Sequence, residues 1–170
     1  MKIYFLFLFW LAAIAMPAVA RTPGEIEVGG TLREATLNGL SGNSRKFSDY
    51  RGRPLIINIW ASWCSPCRTE MSSLDRLSRR FGGKQFNVIG ISTDDNGKAA
   101  AAFIKWSMIS FENYLDSNVL LENMLGANAI PLTILVDAQG RVLRKVRGSH
   151  EWDSPEYLQL IADTFRIKLT

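Results

Sequence analysis

The chain opens on an unbroken apolar run, Ile3 to Met16, and then settles into short hydrophobic blocks separated by glycine, proline and polar clusters. Pro54-Leu-Ile-Ile-Asn-Ile-Trp60 is apolar and β-branched, which predicts a buried strand. After it, Met71, Leu74, Leu77 and Phe81 recur at helical spacing, with Arg68, Asp75, Arg76, Arg79 and Arg80 on the other faces, so Arg68 to Arg80 predicts an amphipathic helix. Phe86 to Ser92 predicts a second strong strand, Gly97 to Met108 an alanine-rich helix and Phe111 to Leu115 a weaker strand. Val119 to Leu125 fits a short helix stopped at Gly126. Leu132 to Val136 and Val142 to Val146, joined by Asp137-Ala-Gln-Gly140, form a hairpin pattern. Ser154 as N-cap and Pro155 in the first turn start a last helix that runs to about Leu169. Ahead of all these, Thr31 to Tyr50 alternates around Asn38-Gly39 and Ser41-Gly42-Asn43, the pattern of an N-terminal β-hairpin, while 21–30 reads as a linker or leader strand. Strands alternating with helices, then a hairpin and a final helix, imply an α/β fold: a central mixed β-sheet flanked by helices, in one domain over 31–170.

The apolar opening has its own meaning. Met1-Lys2 supplies a positive start, Ile3 to Met16 a hydrophobic stretch, and Pro17-Ala-Val-Ala20 a break with a small-residue cleavage site before Arg21. Residues 1–20 are therefore expected to be a signal peptide or, uncleaved, an N-terminal membrane anchor; the apolar stretch from Ile3 to Ala20 is near the shortest that spans a bilayer. Either way the domain is expected in the periplasm or on the extracytoplasmic face of the membrane, where a disulfide persists. Of 20 Lys and Arg only Lys2 falls in this segment, so 19 basic residues face 16 acidic ones in the remainder. That balance is mild, with Arg51, Arg53, Arg76, Arg79 and Arg80 scattered over a solvated surface, and it argues against nucleic acid or a polybasic membrane patch as partner.

The chain has two cysteines, and both stand in Trp63-Cys64-Ser65-Pro66-Cys67, where the first inner strand hands over to a helix. At such a junction Cys64 meets unpaired N–H groups and the positive end of the helix dipole, and Pro66 costs little because first-turn N–H groups lack partners anyway. Lowering a thiol pKa from about 8.5 to near 7 takes roughly 2 kcal/mol and makes about half of it thiolate at neutral pH. The dipole gives roughly 0.3–1 kcal/mol, so donation from the Cys67 end to the Cys64 sulfur is expected to supply the rest. Cys64 is the expected attacking thiol and Cys67 the resolving one. A structural zinc site wants four ligands, and beyond the cysteines the inventory is His150. A merely structural disulfide would close too short a loop to gain much.

Asn58-Ile-Trp-Ala-Ser-Trp-Cys64, the following Arg68-Thr-Glu70-Met71, and Ile130-Pro131 ahead of Leu132 to Gly140 resemble the thioredoxin superfamily, and more narrowly its exported TlpA/ResA/DsbE branch. The resemblance extends from about Thr31 to the C-terminus and implies a thioredoxin-like fold. Gly148-Ser-His-Glu-Trp152-Asp-Ser154 is similar to the stretch leading into the final helix of the TlpA type. By this resemblance Pro131 is the cis-proline beside the dithiol, and Ile130 presents backbone to the client cysteine. Asn58 falls where thioredoxin carries a buried acid; Glu70, about one helical turn beyond Cys67, is the implied replacement, although alone it would read as a surface residue. Ser72 stands where the branch usually has a proline, which leaves the helix straighter and the aim of Glu70 open.

The expected activity is thiol–disulfide exchange, with no cofactor and no metal. Ile130 before the proline resembles reducing members, and the Ser-Pro pair lacks the histidine of the strongly oxidising type, so the expected direction is reduction of a client disulfide, with a disulfide-forming oxidant as the alternative. The resemblance implies apocytochrome c or a copper-site assembly protein as client and a membrane thiol donor as electron source. A thioredoxin-fold copper chaperone is a rival, because soft thiolates suit Cu(I), but His150 lies beyond the hairpin. A peroxidase of related fold would want a Thr-x-x-Cys arrangement, which Ser62-Trp63-Cys64 does not provide. Trp60, Trp63 and Trp152 are either core residues or a docking surface.

Overall fold

The computed structural model describes residues 23–169; the expected export segment, residues 1–20, lies outside them. Seven strands form one mixed sheet in the order β2-β1-β5-β4-β3-β6-β7. They are β1 (Thr36–Gly39), β2 (Arg45–Lys46), β3 (Leu55–Trp60), β4 (Asn87–Ser92), β5 (Glu112–Leu115), β6 (Leu132–Val136) and β7 (Val142–Arg147). The helices are α1 (Ser65–Phe81), α2 (Gly97–Trp106), α3 (Leu120–Leu125) and α4 (Pro155–Phe165). β3, β4 and β5 run parallel, β6 returns antiparallel to β3, and β7 closes that edge. This is the mixed sheet flanked by helices that the pattern predicts. The expected hairpin is present as β1–β2, but β1 also pairs antiparallel with β5, so the hairpin extends the main sheet.

Every residue of β3 is buried, as its β-branched run implies. Side chains alternate between faces along a strand, and that parity decides what meets the helices. Leu55, Ile57 and Ile59 enter one core layer with Phe47, Leu121 and Leu125. Ile56 and Trp60 enter the other, with Met71, Leu74 and Leu77 of α1 and Ile161 of α4. Asn58 shares the second face. It is paired in register with Gly90 on one side and Thr133 on the other, and Gly90 is paired in turn with Asn113, so a polar row crosses the sheet under the helices. Trp60 Nε1 donates to Asn113 Oδ1 at 3.0 Å, and a Cβ at Gly90 would stand 2.0 Å from that oxygen. The absent side chain at Gly90 is what lets this pair close.

Four boundaries differ from expectation. α1 begins at Ser65, because Cys64 itself is the N-cap. α2 ends at Trp106, with Met108 turning to φ 52°. α4 ends at Phe165, where Arg166 adopts the left-handed conformation and its N–H satisfies Ala162 and Asp163 carbonyls. Ile167 and Leu169 still pack on the core, which is why the apolar spacing continues past the helix. Residues 23–30, expected as a linker or leader strand, lie against the domain: Ile26 is buried, its N–H donates to Met124 O at 2.9 Å, and Glu25 pairs with the part-buried Lys145.

Candidate active site

β3 ends at the carboxyl edge of the sheet and the chain turns at Ala61 into α1, the Cys64 N–H donating to Ala61 O at 3.1 Å. Cys64 and Cys67 are joined as a disulfide, their Cα atoms 5.3 Å apart. The Cys67 N–H donates to Cys64 Sγ at 3.2 Å, so the sulfur caps the helix as a serine oxygen would. Pro66 lies in the first turn, where no N–H is needed. Cys67 is wholly enclosed and Cys64 is 6% exposed, which makes Cys64 the outer sulfur of the pair. The Ile130–Pro131 bond is cis, and the Ile130 carbonyl oxygen lies 4.0 Å from Cys64 Sγ. Trp63 projects beside them, 70% exposed. Trp60 and Trp152, by contrast, are core residues with no exposed surface, so a docking surface built on all three tryptophans is ruled out.

The turn before Cys64 is held from the loop that follows β4. Asp94 is buried and accepts from the Ser62 N–H at 2.9 Å, the Ser62 hydroxyl at 2.6 Å and the Ser92 hydroxyl at 2.6 Å. Asp94→Ala leaves these donors unpaired, and a buried donor without an acceptor costs about 1–3 kcal/mol. The expected result is a loss of that order in denaturant unfolding, together with slower alkylation of Cys64 in the reduced protein because its turn is no longer fixed.

Glu70 departs from its bland reading as a surface residue. It is 1% exposed, with α1 unbroken through Ser72 and the carboxyl group turned into the domain. Oε1 accepts from Asn58 Nδ2 at 2.7 Å, and Oε2 accepts from Trp152 Nε1 and from the His150 backbone N–H, both at 3.1 Å. Asn58 Nδ2 also donates to Thr133 Oγ1 at 3.0 Å. Burial pushes the Glu70 carboxyl above its ordinary range, and the N–H groups of Trp152, Asn58 and His150 oppose that rise. A carboxyl whose folded pKa exceeds its unfolded one adds stability below the unfolded value and loses it as pH rises through the folded value. Glu70→Gln, which cannot ionise, is therefore expected to gain in stability relative to the native protein as pH rises from about 4 to 7 in paired denaturant titrations.

His150 donates through Nε2 to the Arg147 carbonyl at 3.0 Å, and its Nδ1 accepts from the Tyr157 hydroxyl at 2.6 Å. Among the described residues no three of His, Cys, Asp and Glu are grouped to hold a metal. Asp94 and Thr133 carry no role in the sequence reading, whereas His150 and Trp152 enter it through the Gly148–Ser154 stretch but not as partners of Glu70. Strand parity places Thr133 opposite Asn58 and could have found it; Asp94 arrives from a distant segment and leaves no local signal.

A family model described as AhpC/TSA family matches residues 28–145. The thiol-disulfide oxidoreductase ResA of Bacillus thuringiensis subsp. konkukian is 25% identical over 138 residues, covering 81% of this chain and 80% of that one. Its counterpart in Bacillus subtilis is 23% identical over 124 residues, 73% of this chain and 69% of that one. Among solved structures, a protein assigned as thiol:disulfide interchange protein DsbE from Chlorobium tepidum superposes with TM-score 0.76 at 24% identity, covering 82% of this chain and 99% of that one. A secreted Mycobacterium tuberculosis disulfide oxidoreductase, homologous to DsbE, superposes with TM-score 0.65 at 20% identity over 76% and 93% of the two chains.

Proposed function

The chain belongs to the AhpC/TSA family and is a thiol–disulfide oxidoreductase with a Cys64–Cys67 pair, and from that premise we propose that it reduces client disulfides outside the cytoplasm. The observation that carries the direction is how few donors are placed to support a Cys64 thiolate once the disulfide is reduced: the N-terminus of α1 and the Cys67 N–H, which donates to the Cys64 sulfur in the oxidised form. A helix N-terminus contributes roughly 0.3–1 kcal/mol and one N–H bond to a charged sulfur about 1.5–3 kcal/mol. A strongly oxidising dithiol holds its attacking thiol near pKa 3.5, about 7 kcal/mol below the free value. The site thus falls well short of that, in keeping with Ile130 before the proline and the missing histidine of the motif.

In the cycle, the Cys64 thiolate attacks one sulfur of the client disulfide, forms a mixed disulfide and expels the other client sulfur as thiolate. Glu70 takes the Cys67 proton, and the Cys67 thiolate attacks Cys64 Sγ, expelling the second client thiolate. Two electrons pass to the client, and the Cys64–Cys67 disulfide seen in the structure is the product state. The client backbone would dock at the Ile130 backbone, whose carbonyl lies 4.0 Å from Cys64 Sγ, with the exposed Trp63 beside it. The cycle needs no cofactor or metal, but an oxidised protein must be recharged, and a membrane thiol donor would serve.

Apocytochrome c and copper-site assembly proteins, both of which need paired thiols reduced for loading, are the proposed clients. An extracytoplasmic location is supported by the pattern of residues 1–20 and by the secreted relative. The test is rapid-mixing reduction of peptides carrying a Cys-x-x-Cys-His or a Cys-x-x-x-Cys disulfide by the reduced protein. Fast, stoichiometric transfer to either supports the reading and selects the client. Transfer in reverse, from oxidised protein to dithiol peptide, overturns it, and turnover of peroxide or tight Cu(I) binding would return one of the rivals.

A further inference from the structure

The groups that touch Glu70 share one property: each presents an N–H, from Asn58, from the Trp152 indole and from the His150 backbone. Such a shell suits a carboxylate and gives a carboxylic acid nothing to donate to. Indole and backbone N–H groups cannot accept, whereas an asparagine amide can exchange its nitrogen for its oxygen by a half-turn. No bond to its Oδ1 has to break in such a turn, since that buried oxygen has no hydrogen-bond partner among the described residues; the bonds exchanged are those of Nδ2 to Glu70 and Thr133.

We propose that Asn58 is a positioning residue that turns its amide when Glu70 takes up a proton, offering Nδ2 to the carboxylate and Oδ1 to the acid. The proposal rests on the reading of Glu70 as proton acceptor for Cys67. The proton settles on Oε1, which carries one donor where Oε2 carries two, and there it faces Asn58 at 2.7 Å. Without the turn, that O–H meets an N–H in a buried site. With it, Oδ1 accepts from Glu70 on one lone pair and from the Thr133 hydroxyl, now 3.0 Å from Nδ2, on the other. The register pair Asn58↔Thr133 is thus the device that lets one buried site hold both protonation states. The titratable groups that feel Glu70 are His150, from the loop before α4, and Tyr157 of α4. They are bonded to each other and not to Asn58.

The experiment is NMR of the oxidised protein between about pH 4 and 9, following the Glu70 side-chain carboxyl carbon and the Asn58 NH2 group, with Glu70→Gln as the second variant. The expected result is a common midpoint for the two groups, with nuclear Overhauser effects from the Asn58 NH2 protons to the Thr133 β-proton present at high pH and lost at low pH. In Glu70→Gln, whose own NH2 must face Asn58, the low-pH pattern is expected at every pH. If Glu70 titrates while those contacts persist, or if Glu70→Gln keeps the high-pH pattern, the amide does not turn and the proposal fails while Glu70 remains a proton acceptor. If Glu70 shows no step in that range, both fail.

Discussion

Replacing Cys64 with serine is expected to abolish reduction of client disulfides, by roughly a thousand-fold or more, as loss of a nucleophile does elsewhere. Cys64 is the outer sulfur, caps α1 and lies against the Ile130 carbonyl, so it is the atom a client disulfide can reach. Cys67→Ser is expected to behave differently. Its Cys64 still attacks, but with no enclosed partner to resolve the product the client remains attached as a mixed disulfide. Non-reducing electrophoresis and intact mass distinguish the two: Cys67→Ser gives a covalent adduct that dithiothreitol releases, and Cys64→Ser gives none. Adducts formed equally by both variants would show that the two sulfurs have no fixed roles.

Trp152→Ala is expected to carry the largest loss of stability, about 3–5 kcal/mol for removing a wholly buried tryptophan. Trp152 fills the layer between α1 and α4, meets Tyr157 edge-on at 5.1 Å, and ties its backbone N–H to Ser73 Oγ at 3.0 Å. Trp152→Phe separates volume from hydrogen bonding. It keeps most of the apolar bulk and removes the N–H that supports the Glu70 carboxylate, a bond to a charged group worth about 1.5–3 kcal/mol. Because that bond favours the ionised form, the cost of Trp152→Phe is expected to grow as pH rises through the Glu70 pKa, which lies above the usual carboxylate range. Denaturant unfolding at acidic and neutral pH measures it; a cost independent of pH would mean that the indole serves packing alone.

The parts of this molecule legible in the sequence are those set by local pattern. The β-branched run of β3, the spacing of Met71, Leu74 and Leu77, and the Asp137–Gly140 turn between β6 and β7 each declare an element by periodicity or turn chemistry, and Cys64 and Cys67 declare themselves by spacing. Helix ends were less legible, because Ile167 and Leu169 keep an apolar spacing after the backbone has left the helix. Glu70 illustrates the deeper limit. A carboxylate among arginines on a helix reads as solvated, and only the meeting of α1 with Trp152, 82 residues further on, buries it. Asp94 is similar: an acid in a polar loop after β4 gives no sign that it will brace the turn before the dithiol, 32 residues earlier.

The central claim is that the Cys64–Cys67 couple is a reductant, and its reduction potential tests this most directly. Equilibrating the purified protein against glutathione buffers and quantifying the two redox forms is expected to give a value near or below about −230 mV, because the helix terminus and the one N–H that donates to the Cys64 sulfur in the disulfide would stabilise its thiolate only modestly. A value near about −120 mV would contradict the account and make the protein a disulfide-forming oxidant, with electrons flowing from client to Cys64.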